Sequence, residues 1–124
     1  MRGYKTNPKS VREKGKSFER ELAAEIQRRL GGRAWRTPCS GSQWWNKADV
    51  TARDNIMSRF HIEAKRQEVF KLETWYNQAL HGVQGGQIPM VVARKNRDKA
   101  MVYMTFDDFL TVLELWQKCE EEKE

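Results

Sequence analysis

Asp49, Glu63 and Lys65 are the side chains whose types and spacing suit chemistry best. The run "FHIEAKRQ" (60–67) alternates apolar Phe60, Ile62 and Ala64 with polar His61, Glu63 and Lys65. That is the period of a half-buried β-strand. Glu63 and Lys65 are two residues apart, so they point to one side. An acid and a base so placed form either a surface ion pair or a metal-ligating carboxylate beside a working lysine. Asp49, in "ADV" (48–50), is in a residue type disfavoured in strands and points away from Ala48 and Val50. A short turn between the two strands would bring Asp49 to Glu63. Two carboxylates brought together repel unless something positive lies between them. Mg²⁺ suits that place, because it is hard, takes oxygen ligands, and binds through one or two carboxylates while keeping waters. Lys65 would orient water or offset charge.

The elements that must position these groups follow from periodicity. Ser17 is a candidate cap for a helix to Leu30, stopped by "GG" at 31–32. Phe18, Leu22, Ile26 and Leu30 drift across one stripe of it, and Ala23 widens the stripe. Glu19 falls near the middle of that apolar face, and a buried acid is costly unless paired or bound to metal. The other reading is that Glu19, in the first turn, favours the helix N-terminus. Strands are expected over 33–37, 48–53, 58–66, 88–94 and 99–105, and helices over 71–83 and from 106 to about 119. Thr105 with Asp108 forms a capping-box-like start. The stripe Phe106, Phe109, Leu110, Leu113 and Trp116 reads as core. The order α-β-β-β-α-β-β-α predicts a single-domain α/β fold, a mixed sheet of about five strands flanked by helices.

The 124 residues suffice for one core. No apolar run is long enough to span a bilayer, and residues 1–10 lack the apolar segment of a signal peptide. With Cys39 and Cys119 as the only cysteines, free thiols in a cytoplasmic setting are expected. No Cys/His cluster has zinc spacing. The net charge is +6. Residues 1–16 hold six Lys/Arg, Lys14 and Lys16 among them, against one Glu, and are expected to form a flexible basic arm. Residues 17–119 form the folded domain, and 120–124 an acidic tail. A basic body with a basic arm points to a polyanionic partner, most often nucleic acid.

The wider pattern resembles the PD-(D/E)XK nuclease superfamily, whose fold is restriction-endonuclease-like. "KGKSFEREL" (14–22), "RTPCSGS" (36–42), "ADV" (48–50), "IEAK" (62–65) and "GGQIPMVVARK" (85–95) occur in the order seen in archaeal-type Holliday junction resolvases and their phage-borne relatives. The resemblance spans residues 14–115. It implies a catalytic role for Glu19, not Glu21, and maps the family's aspartate, glutamate and lysine onto Asp49, Glu63 and Lys65. The family's loop serine maps onto Ser40 or Ser42, with Ser42 preferred. Ala48 stands where the superfamily name has proline, the "QWWNK" loop is longer than in archaeal enzymes, and Arg66-Gln67 replaces a small hydroxyl residue. Gln78 resembles the helical glutamine of RecB-like nucleases, though a solvated polar residue reads equally well.

The resemblance implies Mg²⁺-dependent phosphodiester hydrolysis, with Mn²⁺ able to substitute. Asp49, Glu63 and the Ala64 backbone carbonyl would hold the ion, with Glu19 acting through a water or a second ion. The ion would lower the pKa of a bound water and stabilise the charge that develops on the phosphate. Arg33, Arg36, Lys47, Arg66 and Lys71 flank the expected site and would meet phosphates, joined by Lys14 and Lys16. Trp44 and Trp45 would stack on unpaired bases, pack on a second subunit, or fold back as a lid. Branched or duplex DNA is the expected partner, without a small-molecule cofactor. Paired nicks in a four-way junction would call for a C₂ homodimer. Flaps, mismatches or nonspecific duplex are alternative substrates, and a non-catalytic nucleic-acid-binding module is the alternative of another class.

Overall fold

A computed structural model describes residues 8–38 and 46–123. The five strands are β1 (Arg33–Arg36), β2 (Val50–Arg53), β3 (Phe60–Arg66), β4 (Ile88–Arg94) and β5 (Met101–Tyr103). They form one sheet in the order β1-β2-β3-β4-β5. Its pairs are antiparallel except β3 with β4. A parallel pair needs a crossover, and the helix α2 (Leu72–Gly82) provides it. With α1 (Pro8–Leu30) and α3 (Phe106–Glu122), the order is α-β-β-β-α-β-β-α, the expected α/β architecture. No helix among the described residues is long and apolar enough to cross a membrane.

The sheet carries a core on each face. Phe18 and Ala23 of α1 pack on Val50, Ile62, Ala64, Met90 and Val92. Trp75 and Ala79 of α2 pack on Val91 and Ala93. β4 is buried on both faces, which is why "IPMVVAR" is a continuous apolar run rather than an alternating one.

Three expectations need correction. First, α1 starts at Pro8, well before Ser17, so residues 8–16 are helical. Proline at the first helical position presets φ and lacks an N–H that would be unsatisfied there anyway. Residues 8–14 are exposed, so this extension rests on local propensity, not on packing. At the other end Gly31 and Gly32 adopt φ of 74° and 62°, the left-handed conformation that ends helices. A side chain on Gly32 would press into the Asp54 carbonyl.

Second, β2 and β5 are shorter than the pattern suggested, and Asp49 precedes β2 rather than lying within it. A 3₁₀ turn (Ile56–Arg59) takes up the start of the expected third strand, capped by the Asn55 side chain. Third, the stripe of α3 is not core. The Thr105 cap forms as expected, its hydroxyl accepting from the Asp108 N–H at 3.0 Å. Yet no residue of α3 is buried, and Phe106, Phe109, Leu110, Leu113 and Trp116 are all exposed. An amphipathic pattern shows that a face seeks cover; it does not say that the same chain supplies it. The acidic residues 120–122 continue the helix.

Candidate active site

β2 meets β3 in register only at Val50↔Ile62. Just before that point the chain at Asp49 is gripped from both sides. Its carbonyl accepts from Thr37 N–H at 3.0 Å, and its N–H donates to the Ile62 carbonyl at 2.8 Å. The buried Thr37 is itself tied to Thr51, hydroxyl to hydroxyl at 2.6 Å, and Asn46 donates to Thr51 at 2.9 Å. This network fixes a residue that strand propensity alone would not. The Asp49 carboxylate accepts from the Ala64 N–H at 2.8 Å. In an extended strand a residue's N–H and C=O leave the backbone on the same side. The Ala64 carbonyl therefore leaves β3 on the side from which Asp49 approaches.

Glu63 and Lys65 lie on β3 opposite Val91 and Ala93 of β4. Their charged ends are 3.5 Å apart, and both side chains are largely shielded from solvent. Burial, then the Asp49 charge, push the Glu63 carboxyl up to about 7; Lys65 pulls it down and Glu19 adds to the rise. Glu19 reaches the same field from α1. Burial first, then Asp49, raise its pKa, while Arg36 and Lys65 oppose the rise. The Arg36 Nε lies 2.8 Å from a Glu19 oxygen. This contact is a close ion pair. Three acids from α1, the β2 approach and β3 thus oppose one another electrostatically, with one lysine and one arginine between them. Among the described residues no three His, Cys, Asp or Glu side chains form a ready-made metal cage.

The other expected site residues divide by location. Ser42, Trp44 and Trp45, along with Ser40 and Cys39, lie outside the described residues. Lys14, Arg33, Lys47 and Lys71 are exposed, while Lys16 and Arg66 are partly covered. The Arg33 guanidinium lies over the Trp35 ring at 5.6 Å. Arg36, expected to meet phosphate, is engaged with Glu19. Gln78 is exposed on α2. His61 is 2% exposed, and burial lowers its pKa. A side chain on Gly82 would collide with the His61 ring, so this glycine makes room for it.

Arg94 is the group that sequence reasoning missed. It stands beside Arg66 at the end of the parallel pair. It reaches Glu21 at 3.3 Å and covers the Phe18 ring at 5.2 Å. No periodicity could single it out, because its place depends on the β3–β4 register. Glu21, set aside in favour of Glu19, is accounted for by this contact.

No curated protein and no solved structure matches the chain. Residues 10–122 match the family described as "Phage putative PDDEXK endonuclease". That match covers nearly all of the sequence and both faces of the sheet, and the chain belongs to this family, within the PD-(D/E)XK nuclease superfamily.

Proposed function

We propose that this protein is a divalent-metal-dependent, structure-specific DNA endonuclease that resolves four-way junctions by paired nicks. The convergence of Glu19, Asp49, Glu63 and Lys65 in one electrostatic field carries the reading. A carboxyl pushed up to about 7 by burial and by its acidic neighbours is a site short of positive charge. Carboxylates and a backbone carbonyl are the donor set a hard cation takes. Asp49, Glu63 and the Ala64 carbonyl would hold Mg²⁺ or Mn²⁺, with Glu19 as a more distant ligand through water. When bound, the ion supplies Lewis-acid activation and charge stabilisation at phosphate.

The chain's own residues do the rest. The Thr37 and Ile62 backbone bonds hold Asp49 in place, so its carboxylate needs no reorganisation. Lys65, held beside Glu63, donates toward the attacking water or the developing negative charge. Arg36 restrains Glu19 and opposes the rise in its pKa. Arg66, Lys47, Lys71 and, on α1, Lys14 and Lys16 bear on flanking phosphates and make binding sensitive to salt. Two nicks placed symmetrically need two such sites, hence a pair of chains.

The test is cleavage of end-labelled four-way junction, Y-fork and linear duplex with Mg²⁺, using wild type and Asp49→Ala. Paired symmetric nicks in the junction alone, absent from the variant, are expected. Cutting of all three substrates would retain the chemistry and remove the junction preference. Tight binding without cutting in either Mg²⁺ or Mn²⁺ would leave a binding module.

A further inference from the structure

We infer that the exposed apolar face of α3 is covered by α3 of a second copy of this chain. Phe106, Phe109, Leu110, Leu113 and Trp116 recur at helical spacing, with Phe106 74% and Trp116 63% exposed. The half-buried positions of the helix, Asp108 and Val112, lie about 100–140° around it from Leu113. The stripe is therefore turned away from the body that its own chain provides. Taking an aromatic side chain at about 150–250 Å², the stripe leaves roughly 500 Å² of apolar surface in water. That is at the upper end of the about 300–600 Å² of the largest patch on an ordinary monomer. A standard interface buries about 800 Å² per partner, so one symmetric contact would use the whole face.

Charge selects among occupants. Residues 106–124 hold seven acidic and two basic side chains, a net −5, against +11 for residues 1–105. An acidic helix repels nucleic acid and anionic lipid alike. Between two copies of α3 the like charges also oppose, so burial of the apolar stripe, not charge, must carry that contact. The stripe runs from Phe106 to Trp116 with Leu110 and Leu113 about its middle. An antiparallel partner would set Leu110 and Leu113 near the two-fold axis and make an isologous, closed contact.

This inference stands on the exposed face and not on the nuclease reading, although it supplies the pair of sites that reading needs. The full chain, of 14.7 kDa, is examined by light scattering after size exclusion over a range of concentrations. Amide exchange across residues 106–122 is followed in parallel. Wild type is expected to be a dimer whose α3 protection rises with concentration. Phe109→Glu with Leu113→Glu should give a monomer with unchanged far-UV circular dichroism, whereas Leu115→Glu, on the other side of the helix, should remain dimeric. A wild-type monomer throughout the range would overturn the inference. So would a dimer that survives the double substitution, or α3 protection that appears only on adding DNA. If the double variant fails to fold, the wild-type exchange result decides. A monomer that still nicks DNA would remove this surface and leave the chemistry standing.

Discussion

The end of the sheet around Asp49 and the outer face of α3 invert the usual distribution of polarity in opposite directions. At the first, Glu19, Glu63 and Lys65 are drawn out of water. At the second, aromatic and leucine side chains are left in it. Both arrangements are unfavourable for an isolated chain: buried charge costs desolvation, and exposed apolar surface forgoes burial. The first is relieved in part from within, by Arg36 and Lys65, and the second is not relieved at all. A strained site that the chain half satisfies suggests a small ligand, whereas a broad face it leaves bare suggests a macromolecular one.

Removing Asp49 should have the largest effect. Asp49→Ala is expected to lower the single-turnover cleavage rate by about a thousandfold or more, with DNA binding in Ca²⁺ largely retained. Equal loss of binding and cutting would make Asp49 a DNA contact instead. The two regions are next compared by the same deletion in each. Phe18→Ala, in the buried α1 layer, should destabilise by about 3–5 kcal/mol. Phe109→Ala should cost under about 1 kcal/mol in the dissociated chain, but weaken self-association. Denaturant melts at low and high protein concentration separate the two terms, and equal costs at low concentration would mean α3 is packed on its own body.

A smaller loss is expected from Arg36→Ala, about 2 kcal/mol, because Glu19 would keep its burial and lose its counter-charge. Arg36→Ala with Glu19→Gln should recover much of it, as a double-mutant cycle would show. The gentlest test is pH. Glu63 has a pKa raised in the folded state, so the native chain binds the extra proton. Its contribution to stability is therefore present below the unfolded carboxyl range and is lost as pH rises through about 7. The metal-free chain should lose melting temperature over that interval, Glu63→Gln should flatten the trend, and Mg²⁺ should stabilise more at pH 8 than at pH 5. A trend of the opposite sign would mean Glu63 is ionised and satisfied without a metal.

Much of the candidate site could be read from the order of residues. Alternation along 60–66 placed Glu63 and Lys65 on one side, and helical phase singled out Glu19 over Glu21; both follow from periods fixed by backbone geometry. The role of Arg36 could not be read, because a basic residue on a strand has the same pattern whether it meets phosphate or a helix acid. The hold on Asp49 was also hidden, since it depends on Thr37 and Ile62 backbone groups whose meeting is set by strand pairing. The start of α1 was missed because the arm's composition outweighed the signal of Pro8.

By itself the sequence determined the α/β order, the family and which acids and lysine are candidates for the site, because local periodicity and residue chemistry are properties of short stretches. Only the tertiary structure decided that β4 runs parallel to β3, that Arg66 stands beside Arg94, that Arg36 faces Glu19, and that the apolar side of α3 is left uncovered. These are relations between distant segments, set by which surfaces close on one another. No local period encodes them.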